Sequence, residues 1–420
     1  MNLYYKKLLL CIAALFTLEC ALMSLCVFSE IPLGKGTLNA RFYSKQRLVE
    51  NDSKLNPKNI FAADNGFYGT EFFTLGYSLK GERLSFHFND FGYIKANRDP
   101  DFHNSIGELY GSLQFGAVFV DIGKKRIHQS LSYFKSPINF TVDTAGTKNH
   151  NETQFSEGKI MAHVDIFSNY GFLGISYIPK IDFSKSIEQY VSSSQVQQGL
   201  LRYDFTVHKY TMGIAVSKDD FWRLGTHVST TLGDYVEVHF EGVFNEQKTR
   251  TALSVAGGLA FQNPEPAKNR YEALLGCTAN LPWFSGIVEY YYNQAGLTGD
   301  EWRHQTDTYR NLQNTDLTSM LNLYNLGMAY QALSQNRDFN SRHYLMLRLS
   351  NPTTDDYQIA LNTVVNLQDF SGVVMPSMSY SGWNHISLEA HCTKSFGSPY
   401  SEFSLYGETW SCGLSIELWL

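Results

Sequence analysis

The sequence predicts an all-β protein, a closed antiparallel up-and-down barrel of about 18 strands that spans a membrane. Three observations lead to this prediction: segments of about ten residues that alternate in polarity, polar turns between them, and a last segment, TWSCGLSIELWL, that keeps the alternation. From Trp410 to Leu420 the apolar residues share one face of a strand, and only Trp419 departs from the pattern. A barrel pairs such a strand with the first one, so no sheet edge is left open.

The composition fits a barrel and argues against a nucleic-acid partner. The chain has 26 Tyr and 29 Phe against 11 Pro, so strand-forming residues are abundant. Its mean hydropathy is only -0.24, which is expected when strands hide every second side chain. The net charge of -6 comes without a block of basic residues, so we expect no nucleic-acid partner.

The first 29 residues have the features of a secretory signal. Two lysines precede an apolar run, and small residues lie at the positions that signal peptidase reads, so we expect cleavage after Ser29. An uncleaved membrane anchor and a lipoprotein cysteine at Cys20 or Cys26 stay open as alternatives. No later stretch predicts a transmembrane helix, so residues 30–420 are expected to form a single barrel domain that inserts by its strands.

The segments, taken in order, give the strand count. The predicted strands are 37–42, 71–79, 83–91, 106–114, 117–125, 158–167, 171–179, 199–207, 209–217, 221–231, 234–244, 251–261, 270–280, 285–293, 342–350, 355–366, 371–380, 384–393 and 409–420. This list has an odd number of strands, whereas bacterial barrels have an even number. We assigned each connection to one side of the membrane, working inward from both ends of the chain. The two assignments conflict between Phe244 and Arg270, which indicates a spurious or missed strand there. We therefore predict 18 strands, with 16 as the alternative.

The longest connection, 294–339, contains a predicted helix. Apolar residues from Leu317 to Leu333 recur near helical spacing, which predicts a helix at about 315–334 in an extracellular loop. Its apolar face must be covered. Two positions are open: within the lumen as a constriction, or on the rim as a cap.

Three cysteines remain in the predicted mature chain: Cys277, Cys392 and Cys412. No pair has metal-ligand spacing. A hairpin turn near residues 399–403 would place Cys392 opposite Cys412 on adjacent strands. Because directly opposed strand cysteines form strained disulfides, two small lipid-facing residues are favoured over a disulfide, which stays open.

The polar face of the predicted strands carries charges of both signs. Such charges would be costly in a dry core, whereas a wet lumen tolerates them. Because both signs occur, cross-strand pairs that support the wall are favoured over a strongly ion-selective lining. The predicted lumen-lining residues are Asp121, Arg202, Asp204, Arg223, His227, Glu237, His239, Glu241, Glu289, Arg342, Arg348 and Glu389, with His163, Asp165 and Glu417 on the same face.

Four stretches carry a family resemblance. They are GKKRIHQSLSYFKSPINF (Gly123 to Phe140), VEYYYNQAG (Val288 to Gly296), RHYLMLRLS (Arg342 to Ser350), and the terminal block from Asn366 through SPYSEF at 398–403. Together they resemble the porin-like outer-membrane barrels related to alginate-export and capsule-assembly proteins. The resemblance implies an 18-stranded pore or export channel in the bacterial outer membrane, inserted by the barrel-assembly machinery. It does not fix the solute.

The sequence favours transport over catalysis. There is no Gly-x-Ser-x-Gly elbow, no His-Glu-x-x-His zinc helix and no phosphate-binding loop, so we expect no enzyme and no cofactor. His385, Glu389 and His391 share a strand face, but metal ligands normally converge from several elements, and we predict no metal site. The predicted function is a channel for small hydrophilic solutes or polysaccharide. The alternative is a sealed barrel whose loops 126–157 and 294–339 bind a polysaccharide or another ligand.

Overall fold

The barrel is seen in a computed structural model that describes residues 35–49, 66–96, 101–127, 130–141, 157–182, 195–256, 259–314, 340–352, 356–404 and 408–419. These residues contain one antiparallel sheet of 18 strands. The strands are β1 (Lys35–Val49), β2 (Gly66–Lys80), β3 (Leu84–Ala96), β4 (Asp101–Phe115), β5 (Val118–Lys125), β6 (Lys159–Ser168), β7 (Gly171–Ile178), β8 (Gln198–Val207), β9 (Tyr210–Lys218), β10 (Trp222–Leu232), β11 (Val236–Ala256), β12 (Leu259–Leu281), β13 (Phe284–Asn293), β14 (His343–Ser350), β15 (Tyr357–Asn366), β16 (Gly372–Trp383), β17 (Ile386–Phe396) and β18 (Glu408–Trp419). The predicted signal peptide and its cleavage position lie outside the described residues.

The sheet closes on itself. β1 pairs with β2 on one side and with β18 on the other, where Asn39 lies opposite Trp419 and Leu48 opposite Trp410. Every other strand pairs with its neighbours in sequence, so the order is up-and-down. The predicted closed barrel of 18 strands is confirmed, and the 16-stranded alternative is wrong. Closure satisfies the backbone groups that an open edge would leave unpaired.

The connections differ between the two ends of the barrel. At the end where β1 begins, most are turns of two or three residues, such as 116–117 and 208–209; we call this the short-turn end. Longer connections, including 126–158 and 294–342, lie at the opposite, long-loop end.

A long hairpin explains the spurious strand in the sequence-based count. β11 and β12 stay paired from Val236 opposite Ala279 to Ala256 opposite Leu259. The separate strand predicted at 251–261 is therefore wrong, because these residues form the tip of the hairpin. The error lies in the interval where the sidedness conflict indicated it.

Side chains alternate between a polar and an apolar face. On β18, Leu414, Ile416 and Leu418 are exposed, whereas Ser411 and Ser415 are buried. This period of two is the geometry of a pleated strand. It confirms the alternation predicted for the last segment.

The described helix, α1 (Gly299–Asn314), begins after a capping box. The Glu301 N–H donates to Thr298 Oγ1 at 3.1 Å, and the Thr298 N–H donates to Glu301 Oε2 at 2.7 Å. Its buried side includes Trp302 and Tyr309, and the Tyr309 ring contacts that of Tyr400 in the connection before β18. α1 therefore packs against another loop at the long-loop end.

The helix predicted at 315–334 lies outside the described residues, so neither its existence nor its place is tested. α1 ends directly before it and was not predicted. Within the described residues, no helix has the length and apolar character needed to cross a membrane.

Cys392 and Cys412 form a disulfide across β17 and β18. They are direct partners in the strand register. The preference for two unbonded residues is therefore wrong, whereas both cysteines lie on the apolar face of their strands, as predicted. The register that placed the two cysteines opposite each other is confirmed, because the alternation of both strands fixes it.

We expect the disulfide to stabilise the barrel near its closing strands. The crosslinked residues are 20 apart in sequence, and constraining such a loop in the unfolded chain corresponds to about 3 kcal/mol as an upper value. Cys392→Ser should therefore lower the free energy of unfolding, measured by urea titration in detergent without reductant. Cys277→Ser is the control because Cys277 is free. Equal losses in both variants would contradict a stabilising crosslink.

Candidate functional site

A segment of the connection after β5 crosses the interior of the barrel. We call residues 130–141 the inner segment. β5 ends at Lys125, and eight residues later the Tyr133 N–H donates to Glu289 Oε1 on β13 at 2.7 Å. Eight extended residues reach about 28 Å, whereas the eight strand-to-strand steps along the wall from β5 to β13 span about 38 Å. The chain can make this contact only through the interior, so the polar face of the strands points inward.

Two buried carboxylates hold the first half of the inner segment. Glu241 accepts hydrogen bonds from the Leu131 N–H at 2.6 Å and from Ser136 Oγ at 2.6 Å. Glu289 accepts the Tyr133 N–H and, at 3.1 Å, the Phe134 N–H. Neither glutamate side chain is exposed. Buried charges need this number of donors, because an unsatisfied carboxylate in the interior is costly.

Apolar side chains hold the second half. Ile138 and Phe140 form a buried cluster with Leu200, Ala215 and Val243 on β8, β9 and β11. Between these strands lies Gly225 of β10, where an added Cβ would be 3.0 Å from Ile138 Cγ2. The missing side chain gives the inner segment room to lie flat against the wall.

Part of the interior is packed like a protein core. Phe134 of the inner segment and Phe403 of the connection before β18 join inward-facing side chains of β12 to β16. The other members are Leu274, Tyr291, Tyr344, Met346, Val364, Val373 and Met375. The side of the interior covered by β12 to β16 is filled near the long-loop end.

The edge of the inner segment presents Tyr133 to an arginine of the wall. Arg348 Nη1 donates to Tyr133 Oη at 2.6 Å, and its guanidinium carbon lies 4.8 Å from the ring centroid. Arg348 also donates to Asn362 Oδ1 at 3.0 Å. Tyr133 remains 43% exposed, so it borders the unfilled part of the interior.

A cavity of about 230 Å³ lies where the connection after β5 leaves the wall. It is lined by Lys125, Arg126, Ile127, His163, Asp165, Phe172, Gly174 and Arg202. The cations are paired with acids: Lys125 with Asp121, Arg126 with Glu108 at 2.6 Å, and Arg202 with Asp204 at 2.6 Å. The cavity is therefore lined by basic side chains, each of which is paired with an acidic side chain of the wall.

Asp121, His163 and Asp165 are a group of three possible metal ligands whose donor atoms lie within 4.8 Å of one another. His163 Nε2 is 2.6 Å from Asp165 Oδ1, and Ser176 is on its Nδ1 side. Asp121 already contacts the ammonium group of Lys125. Because a cation is in place, the cluster is better described as an ion network of the wall than as a metal centre.

The side chains of His385, Glu389 and His391, which share a strand face in the sequence, do not converge on one point. His391 Nε2 is 3.0 Å from Tyr43 Oη, whereas His385 lies in the turn between β16 and β17. Glu389 is on the same strand as His391 but faces Ser379 and Ser415.

Glycines on the middle one of three strands let a histidine and a carboxylate approach each other across the wall. Gly213 on β9 lies between Asp204 on β8 and His227 on β10, whose Nε2 is 3.5 Å from Asp204 Oδ1. Gly276 on β12 lies between His239 and Glu289, which are 3.2 Å apart. An added Cβ at either glycine would overlap the histidine ring.

Gly213→Ala should therefore destabilise the barrel, by about 1–3 kcal/mol, because the new methyl group displaces His227 and Asp204. Urea unfolding in detergent measures the change. Gly199→Ala is the matched control, since a Cβ at Gly199 on β8 meets no atom within 4 Å. Equal stability of the two variants would mean that the His227 and Asp204 side chains can move aside.

A buried network ties three connections together at the long-loop end. Glu402 accepts the Asn340 N–H at 2.7 Å, the Tyr344 hydroxyl at 2.7 Å and Asn366 Nδ2 at 2.8 Å. Its own N–H donates to Asp369 Oδ2 at 2.7 Å. Burial raises the pKa of the Glu402 carboxyl to about 7, and the neighbouring Asp369 charge adds to this effect.

The network should loosen as the pH rises. The pKa of Glu402 is raised from 4.5, so its stabilising contribution is complete below about pH 4.5 and is lost as the pH passes about 7. Amide exchange of residues 340–342, corrected for intrinsic rates, should be faster at about pH 8 than at about pH 6. Glu402→Gln should remove this difference. A pH effect that persists in the variant would assign it to another group.

The structure brings most of the predicted lumen residues to the inward face. Arg342 is the exception: it precedes β14 and donates from Nε to the Gly296 carbonyl at 3.0 Å, at the long-loop end. Those placed on inward strand positions are Asp121, Arg202, Asp204, Arg223, His227, Glu237, His239, Glu241, Glu289, Arg348 and Glu389.

The sequence analysis missed the inner segment as a part of the interior. Residues 123–140 carried a family resemblance, and residues 126–157 were expected to form a loop that binds a ligand in the alternative function. The available signal was the run from Ser130 to Phe140, where hydroxyl-bearing residues are interspersed with Phe134, Ile138 and Phe140. An extracellular loop would leave such large apolar side chains uncovered.

The fold and this interior define the class: a closed 18-stranded barrel with an inward-folded segment. The structure is similar to that of OccAB1 from Acinetobacter baumannii, with 9% identity over 92% of this chain and 96% of that chain, at a TM-score of 0.57. It is also similar to OccK2 (OpdF) of Pseudomonas aeruginosa in complex with glucuronate, with 10% identity over 93% and 98% of the chains and a TM-score of 0.52. The outer membrane protein OpdK of the same organism, also solved with vanillate, gives 7% identity, 92% and 98% coverage and a TM-score of 0.53.

At this identity the similarity demonstrates a shared fold. The sequence matches no protein-family model, and no curated protein matches it. The porin-like barrel of the predicted resemblance agrees with these structures, whereas the relation to alginate-export and capsule-assembly proteins finds no support in them.

Proposed function

We propose that this chain is a channel of the bacterial outer membrane through which small hydrophilic solutes pass. The observation that carries the proposal is the inner segment, which lies against the wall and narrows the interior without filling it: Tyr133 keeps 43% of its surface exposed beside Arg348. A barrel of 18 strands is wide enough to enclose water. A narrowed interior favours small solutes over polysaccharide.

The outer surface supports insertion into a bilayer. Aromatic residues with large exposed area occur near the short-turn end, among them Phe115, Tyr170, Tyr235, Trp283 and Trp383. A second group lies near the long-loop end, with Trp222 and Phe370. Two aromatic girdles that border an apolar band are typical of membrane barrels, because these rings favour the interface. Export through a signal at residues 1–29 and insertion by the barrel-assembly machinery belong to the same proposal.

Small organic carboxylates are the solutes that the interior suits best. Lys125, Arg126 and Arg202 line one cavity, and the ligands named for two similar structures, glucuronate and vanillate, are carboxylates. An arginine guanidinium can bind a carboxylate through two parallel hydrogen bonds. In this chain each cation already has an acidic partner, so binding would be weak and compatible with passage.

Planar bilayer recording tests the proposal. The purified full-length chain should give discrete conductance steps, and added glucuronate should produce brief blocks that Arg202→Gln weakens. A sealed barrel without steps would overturn the channel and favour the alternative, a platform whose loops bind a ligand. Steps with no glucuronate block in either protein would keep the channel and reject the carboxylate assignment.

A further inference from the structure

We propose that the channel has an acid-operated gate, in which the negative charges of Glu241 and Glu289 hold residues 130–136 against the wall and protonation releases them. The inference rests on the proposed channel function. It concerns one half of the inner segment only.

The first step is the number of contacts that depend on these two charges. Glu241 accepts four hydrogen bonds from the inner segment: the N–H groups of Leu131 and Ser132 and the hydroxyls of Ser130 and Ser136. Glu289 accepts three: the N–H groups of Tyr133 and Phe134 and the hydroxyl of Ser132. Hydrogen bonds to an ionised acceptor are roughly twice as strong as those between neutral groups.

The second step is the difference between the two halves. Residues 138–141 are held by contacts between groups that do not titrate. Ile138 and Phe140 are in an apolar cluster, and Gln198 Nε2 donates to the Phe140 carbonyl at 3.2 Å. Thr141 Oγ1 donates to the Ile127 carbonyl at 2.7 Å. Residues 130–136 make seven hydrogen bonds to the two glutamates, with Phe134 packed among apolar side chains and Tyr133 bonded to Arg348. Protonation therefore loosens one half while the other stays in place.

The third step is the charged surroundings. His239 Nε2 is 3.2 Å from Glu289 Oε1, so this anchor has a basic side chain beside it. Among the ion pairs of the described residues, Glu241 has no basic partner, which makes it the first anchor to fail. The other charged or titratable groups near the two anchors are Glu237, Tyr133, Arg348, Glu389 and, on the segment itself, Lys135.

Whether acid opens or closes the channel depends on where residues 130–136 move after release. Residues 130–136 lie against the wall, and the residues that follow them, 138–141, stay fixed by their own contacts. Once free, residues 130–136 can move only into the unfilled interior that Tyr133 borders. Acid should therefore close the channel.

Bilayer recording from about pH 7.5 down to about pH 4 is the main test. Wild-type protein should show closures of most of the conductance that become frequent on acidification. Glu241→Gln should show them already at about pH 7.5, and Glu289→Gln should do so to a smaller extent. Glu417→Gln is the matched control: Glu417 is an inward carboxylate on β18 that pairs with Arg41 and does not touch the inner segment. It should keep the wild-type pH response.

A crosslink separates movement of one half from movement of the whole segment. A Cβ built at Gly225 lies 3.5 Å from Ile138 Cβ, within the range for a disulfide. In a Cys277→Ser background, the Ile138→Cys/Gly225→Cys pair should therefore bond, and the crosslinked channel should still close in acid. Loss of acid closure on crosslinking would overturn the assignment of residues 130–136 as the gate.

Amide exchange gives a readout that does not depend on conductance. At one neutral pH, Glu241→Gln should speed exchange of residues 130–136 at least tenfold over wild type and leave 138–141 unchanged. Equal exchange in the variant and the wild type would overturn the gate even if the protein conducts. A protein that never conducts yet shows this exchange difference would reject the channel and keep the charge-dependent release.

Discussion

Replacing residues 130–141 by a short Gly-Ser linker should raise the single-channel conductance by about threefold, since an 18-stranded barrel without an inward segment leaves a wide aqueous lumen. The inner segment occupies the interior from β8 to β14, through contacts that include Gln198, Glu241 and Arg348. Its removal also uncovers the inward face of that part of the wall. Bilayer recording measures the conductance, and swelling of liposomes in sugars of increasing size measures the new size limit.

A matched control for this replacement is a linker of the same kind in place of residues 245–270, which form the upper part of the β11–β12 hairpin. That change keeps residues 130–141 and the anchors Glu241 and Glu289 in the chain. It should leave the conductance near the wild-type value. Equal increases in both variants, or no increase in the first, would contradict the assignment of the inner segment as the constriction.

Leu414→Arg should be among the most damaging single substitutions in the barrel wall. Leu414 is 52% exposed on the outer face of β18, and an arginine on the lipid face near the bilayer midplane costs about 2–4 kcal/mol. Thr231→Arg is the comparison: Thr231 is an exposed residue at an inward position of β10, opposite Glu237. It should fold with a smaller loss, because an inward guanidinium at an exposed position reaches water.

Folding into lipid vesicles, followed by the heat-dependent shift of the folded band on a gel, measures both variants. The expected order of folded yield is wild type, then Thr231→Arg, then Leu414→Arg. The reverse order would place the polar face of the strands against lipid and would contradict the inward orientation deduced from the inner segment.

Most of the wall could be predicted from the sequence because polar and apolar residues alternate with a period of two along the strands. The pairing of β1 with β18, the opposition of Cys392 and Cys412, and the inward position of Glu241 follow from it directly. The strand count was right for the same reason: the conflict between Phe244 and Arg270 indicated a spurious or missed strand, and the structure shows that the strand predicted at 251–261 was the spurious one.

The contents of the barrel could not be predicted in this way. The inner segment has no regular structure, and its place is fixed by contacts with strands more than a hundred residues away, such as those of Ser136 with Glu241 and of Ser132 with Glu289. Such contacts leave no periodic pattern. The helix α1 did leave a local sequence pattern, the capping box from Thr298 to Glu301. A search for apolar residues at helical spacing overlooked this helix because the mean hydropathy of α1 is low.

The central claim is that successive residues of each strand face water and lipid in turn. Single cysteines at Leu201, Arg202, Tyr203 and Asp204 of β8 test it most directly, in a Cys277→Ser background and in lipid vesicles. Arg202→Cys and Asp204→Cys should react with a membrane-impermeant maleimide, whereas Leu201→Cys and Tyr203→Cys should resist it. When a fluorophore is attached to Leu201→Cys or Tyr203→Cys in detergent before reconstitution, a lipid-chain quencher should quench its fluorescence. Uniform labelling of all four positions, or the opposite alternation, would contradict a water-filled barrel in a membrane.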